Sequence, residues 1–276
     1  MDGTAIRAIA GHEVTINIRN KWILMFSAVF GGLSLAVCYF GMVTIGTVGV
    51  QSFTRTTASL LNLVLYLVPL AALVLATLSF SGEKGATELL FSQPVGRGDI
   101  LLGKLLGLFL CLAGATCVGF GIAGAFIAVR AGGEGSTRYA IFVGLALLLS
   151  LVFLSLGSMI AILIENKARA LGVALVAWFF FVVFYDLLAI GMTFLFKERT
   201  ANLFVFLSLF GNPVDLVRVA SLMNLGGATL FGGAGAALLK FFGGTALSNF
   251  LLIAALAVWT GGPLWVSARR LRRLDI

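Results

Sequence analysis

Charge is what this sequence has least of. Only 11% of its 276 residues are Asp, Glu, Lys or Arg, against 60% hydrophobic, and the mean hydropathy is +1.09. A soluble domain of this length needs far more charge to cover its surface, so a water-exposed globule is excluded. Histidine is nearly absent: His12 is the one in the chain. His12-Glu13 opens like HExxH, but no second histidine follows, which argues against zinc-protease chemistry and against a Ser/His dyad. His12 reads as an interfacial side chain. The three cysteines, Cys38, Cys111 and Cys117, fall inside apolar runs without CxxC spacing. They read as small packing residues rather than a disulfide framework. The six methionines (Met1, Met25, Met42, Met159, Met192, Met223) carry thioethers of the kind copper(I) favours, yet they form no MxM or MxxM cluster. No metal site is expected in this chain.

What the sequence does have is long apolar runs. Six of them, at about 22–45, 60–80, 100–129, 140–164, 170–196 and 247–268, are each at least as long as the ~20 residues a helix needs to cross the hydrocarbon. Helices are required there, because lipid offers no partner to exposed backbone groups. The first run is far longer than the ~7–15 apolar residues of a signal-peptide core, so no cleaved leader is expected. The fold class is therefore an all-α polytopic membrane protein, with residues 1–276 forming one transmembrane domain. Gly103 to Gly107 and Gly121 to Ala125 supply small-xxx-small spacings that permit close helix contact.

The net charge of +8 reports orientation rather than nucleic acid. Segments 1–21, 81–99, 165–169 and 269–276 carry 11 Lys and Arg in 53 positions, while 46–59, 130–139 and 197–246 carry 7 in 74. The denser side is expected to be cytoplasmic, with both termini on it and the basic residues against anionic lipid. Arg269-Arg270-Leu271-Arg272-Arg273 fixes the last span. The inner membrane of a bacterium is the expected location.

Two segments that do not span have a pattern of their own. In residues 1–21, Ile6, Ala10, Val14 and Ile18 recur at i+4 while Arg7, Glu13 and Arg19 are expected on other faces. This predicts an amphipathic helix lying in the cytoplasmic interface. In the long outer segment 197–246, Asn212 is an N-cap, Pro213 a first helical residue and Asp215 a first-turn acid. Leu216, Ala220 and Met223 mark that helix's apolar stripe. Leu203–Phe210 reads as re-entrant or interfacial. Asp186 is the one acid well inside a span; burying its charge costs about 2.5–3.5 kcal/mol on insertion scales. It is either functional or paired, or a protonated or water-facing carboxyl near the outer end of a long helix.

Gly98 to Lys104 matches GxxxxGK, but Leu105 follows where a magnesium-binding hydroxyl is needed, and no strand precedes it. If ATP is used, another subunit binds it. The preceding stretch, Gly82 to Asp99, predicts a short helix over 83–91, with Glu83 at its positive end and Pro94 beyond its stop. Leu89, Leu90 and Phe91 are costly to leave in water. They dock in a partner's groove or fold back onto the membrane surface.

Gly82-Glu83, Gly85, Thr87, Leu89-Leu90, Pro94, Arg97 and Ile100-Leu101-Leu102-Gly103-Lys104 together resemble the GE…GT…LL…P…R…ILLGK segment of ABC-2-type transporter permeases. Arg19-Asn20-Lys21-Trp22 is similar to the end of that family's elbow helix. The resemblance implies that 81–99 is a coupling-helix loop whose residues Glu83, Gly85, Thr87, Glu88, Leu89, Leu90, Phe91, Pro94 and Arg97 meet the ATPase subunit. Ala86-Thr87-Glu88 departs from the usual Gly-Thr-Leu and adds a charge there. Pro94 to Gly98, Gly119-Phe120-Gly121, Trp178 through Asp186 and Asn212 to Asp215 resemble in particular the permeases that serve copper-site maturation of nitrous oxide reductase. The resemblance further implies a non-catalytic subunit working as a homodimer. Two ATPase copies would hold ATP and magnesium, and a periplasmic accessory protein would sit outside. An exporter of hydrophobic or peptide cargo, and a membrane scaffold or enzyme without ATP coupling, are the rival readings.

Overall fold

The computed structural model describes residues 3–19, 21–43, 50–81, 96–131, 135–193, 207–226 and 244–272. They form helices α1 (Gly3–Arg19), α2 (Lys21–Val43), α3 (Val50–Phe80), α4 (Arg97–Ala131), α5 (Ser136–Leu163), α6 (Lys167–Phe179), α7 (Tyr185–Thr193), α8 (Pro213–Gly226) and α9 (Thr245–Arg272). A π-helical segment, Phe180–Phe184, joins α6 to α7 as one continuous rod, and a 3-10 turn, Leu209–Gly211, leads into α8. No strand occurs among the described residues. Six stretches are long and apolar enough to cross a membrane: Ile23–Phe40, Thr56–Phe80, Arg97–Val129, Ser136–Leu163, Lys167–Gly191 and Ala246–Arg272. The protein is an all-helical, multi-pass membrane protein.

Backbone chemistry sets the joints between the rods. The Asn166 side chain accepts the Arg169 N–H at 3.1 Å and starts α6 only three residues after α5 ends. So short a connection makes these two helices antiparallel neighbours. Gly135, at φ 103°, supplies the left-handed residue that turns the chain into α5.

Helix α5 is the axis of the bundle and packs against α3, α4, α6, α8 and α9. Phe30, Phe120 and Phe142 stand edge-to-face at centroid separations of 5.3 and 5.4 Å and tie α2, α4 and α5 together. The Phe30 ring lies over Gly119, where an added Cβ would meet Phe30 Cδ1 at 2.5 Å. A second aromatic group, Phe153, Phe181 and Trp259, joins α5, the π segment and α9. Among the cysteines, Cys38 and Cys111 are buried, but Cys117 is exposed. It shares the outer side of α4 with exposed Val118 and Ile122, so packing accounts for two of the three.

Candidate functional site

Residues of interest gather at the two ends of the bundle. At the end where α3 stops and α4 starts, Glu83, Gly85, Thr87, Glu88, Leu89, Leu90, Phe91 and Pro94 lie outside the described residues, as does the helix expected over 83–91. The flanks of that segment are described, and both are tied down. Lys104 Nζ donates to the Ser79 carbonyl at 2.6 Å and stands 5.2 Å from the Phe80 ring centroid, so a cation closes the C-terminal turn of α3. On the far side of the segment, Arg97 Nη1 donates to the Leu271 carbonyl at 2.7 Å, near the end of α9. Arg97 thus fastens the start of α4 to the last helix.

Helix α1 corrects one expectation. Glu13, expected away from the buried stripe, is buried, together with Ala10 and Asn17. Ile18, expected on that stripe, is 56% exposed. The reason is geometric: a strict i+4 series drifts by about 40° per step at 3.6 residues per turn, so Ile18 has rotated about 120° from Ile6. Residues 10, 13 and 17 keep the alternating three-and-four spacing that holds one face. That face rests on Gly103 and Gly107 of α4. An added Cβ at Gly107 would meet Glu13 Cβ at 2.6 Å, and one at Gly103 would meet Ile9 Cβ at 2.9 Å. Small-xxx-small spacing serves this contact. Around Gly121 an added Cβ would meet nothing within 4 Å.

At the opposite end the cap residues converge with Asp186. Asn212 Oδ1 accepts the Val214 N–H at 3.0 Å, its carbonyl accepts the Leu216 N–H at 3.1 Å, and α8 begins at Pro213. The Asn212 amide reaches further, donating to Asp215 Oδ2 and to the Phe181 carbonyl, both at 2.9 Å. The second bond is possible because the π segment sends the Tyr185 N–H to Phe180 rather than to Phe181. Phe181 is thereby left without its ordinary α-helical donor. Asp186 Oδ2 accepts from Arg218 Nη1 at 2.8 Å, and the same nitrogen stands 2.7 Å from Asp215 Oδ1 as an ion pair. Burial, and next the proximity of Asp186, push the Asp215 carboxyl up to about 6, against the opposing pull of Arg218.

Arg218 is the site residue that sequence reasoning missed. Its one signal was the three-residue spacing from Asp215, which places both on one helix face. Val214, Leu216, Val217 and Ala220 of α8 are fully or almost fully buried against the bundle. Helix α8 is therefore seated by an apolar face and linked by charge to the fifth span. Among the described residues no group of three or more His, Cys, Asp and Glu could hold a metal ion.

Comparison with known proteins agrees with this architecture. The profile of the ABC-2 family transporter proteins matches residues 7–276. A protein of Pseudomonas aeruginosa named "probable ABC transporter permease protein NosY" is 38% identical over 266 residues, covering 94% of this chain and 93% of its own length. A protein of the same name from Stutzerimonas stutzeri is 35% identical over 265 residues, covering 94% and 92%. With a profile match over nearly its whole length and two full-length relatives above 30% identity, the chain belongs to the ABC-2 family of transporter permeases.

Proposed function

We propose that this permease subunit couples ATP hydrolysis by a separate ATPase subunit to a conformational change at its outer face, in the service of copper-site assembly of nitrous oxide reductase. Likeness over more than nine-tenths of both chains to two proteins named NosY carries the assignment. The family brings an ATPase partner and a membrane setting. The finer reading adds a second copy of this chain, two ATPase copies holding ATP and magnesium, and a periplasmic accessory protein. Segment 81–99 receives the ATPase stroke. Helix α8, seated on the bundle and bridged to the fifth span, delivers it outside.

The test is made in a nitrous-oxide-reducing host lacking this chain. The reductase from that host should be copper-deficient, and the wild-type chain should restore it. Asn212→Ala combined with Asp215→Ala removes the cap and the first-turn acid, weakening α8 by about 1–2 kcal/mol. The double variant should still bind its ATPase but lose the outer complex and leave the reductase short of copper. A fully loaded reductase would refute the role of α8. A loaded reductase in the host without the chain would refute the copper assignment.

Orientation has its own check. A single cysteine at Thr137, exposed at the start of α5, should react with an impermeant thiol reagent from outside. One at Ala168, exposed at the start of α6, should stay protected until the membrane is opened. The reverse pattern would invert the bundle and place both termini outside.

A further inference from the structure

We propose that Glu13 is a positioning residue, whose bond to Ser79 couples the elbow helix α1 to the movement of the flanks of segment 82–95. This rests on the reading of that segment as the ATPase-docking loop.

A buried carboxylate on an interfacial helix is expensive, so what satisfies it is informative. Glu13 is 7% exposed, on a helix where solvent-facing positions were available. The Ser79 hydroxyl donates to its Oε1 at 2.5 Å, and Asn17 Nδ2 donates to the same oxygen at 3.1 Å. Ser79 lies one residue before the end of α3. Its carbonyl meanwhile takes the Lys104 ammonium from α4. One residue therefore bridges a buried acid and a half-buried cation, and its two bonds run to two different helices. The close approach at Gly103 and Gly107 packs α1 tightly along α4. The elbow helix is thus clamped to both lengths of chain that enter and leave segment 82–95. A push on that segment must carry α1 with it, and α1 leads directly into the first span through Lys21.

The experiment uses the purified permease–ATPase complex in proteoliposomes, reading ATP turnover and ATPase copurification together. Glu13→Ala should keep the ATPase bound while permease-dependent turnover falls about fivefold to tenfold, the scale of one lost coupling contact. Glu13→Gln keeps an acceptor oxygen for both donors and should recover most of that loss. A double-variant cycle supplies the decisive arm. Ser79→Ala removes the hydroxyl donor and keeps the carbonyl that holds Lys104, so it should give the same deficit as Glu13→Ala, and the two changes together should cost no more than either alone. If Glu13→Ala does not insert, Ser79→Ala carries the same expectation by itself.

Wild-type turnover in the variant that breaks the bond would overturn the proposal. So would deficits that add in the double variant, because Glu13 and Ser79 would then act independently of each other. A wrong docking segment shows itself separately, as an intact complex in a Leu90→Asp chain.

Discussion

Arg218→Ala should cost this protein about 2–4 kcal/mol, seen as a lower melting temperature of the detergent-solubilised chain and loss of its outer complex. Removing the shared cation leaves two carboxylates on facing helices without a counter-charge, and breaking such a pair from one side is the expensive direction. The figure sits below the full cost of a buried pair because Arg218 and Asp186 retain 28% and 32% side-chain exposure. The deficit should depend on pH, with a sign that follows from Asp215. Its carboxyl value in the folded protein, about 6, stands above the 3.8 of the free group, so its ionisation works against folding at higher pH. Without Arg218 that carboxyl rises further. The variant should be weakest well above pH 6 and recover as pH falls from the carboxyl's own raised value towards the 3.8 of the free group. Arg218→Ala with Asp186→Asn and Asp215→Asn should regain most of the loss at neutral pH, since no uncompensated charge remains. An Arg218→Ala chain as stable as wild type across this range would show that the bridge contributes nothing.

Leu90→Asp should abolish copurification of the ATPase subunit while the permease still inserts. A carboxylate pressed into an apolar groove has no partner and costs several kcal/mol, enough to separate the two subunits. Leu90→Ala should weaken the complex without dissolving it, because it removes packing and adds no charge. The ties flanking the segment, Lys104 to Ser79 and Arg97 to Leu271, are untouched by either change. A defect can therefore be assigned to the docking surface itself. Unchanged copurification and ATP turnover in Leu90→Asp would remove 83–91 from the docking role and leave the loop against the membrane surface.

The bundle was legible in the sequence because length and apolarity are local properties, and each of the six candidate spans satisfies both by itself. The start of α8 was legible for the same reason, since Asn212, Pro213 and Asp215 occupy neighbouring positions with separate physical roles. What was not legible depends on partners distant in the chain. Asp186 and Arg218 are 32 positions apart, and nothing in the fifth span names the residue that answers its acid. The pattern of α1 alone puts Glu13 on the wrong face, because its burial is decided by Gly103 and Gly107 on α4, far along the chain. The π segment left no trace either: Phe-Phe-Val-Val-Phe is as apolar as the spans around it.

That π segment has a consequence for how the fifth span is phased. One residue in excess of the α-helical repeat advances everything beyond it by about 100° around the axis. Residues 167–179 and 185–193 therefore follow two angular frames on one rod. Asp186 belongs to the second frame, which is the one that points it at Arg218. Between relatives that keep the extra residue and relatives that lack it, a single gap placed in 180–184 would bring both halves of the span into structural alignment. An ungapped alignment would match the first half and assign every residue after it, Asp186 included, to the wrong side of the helix.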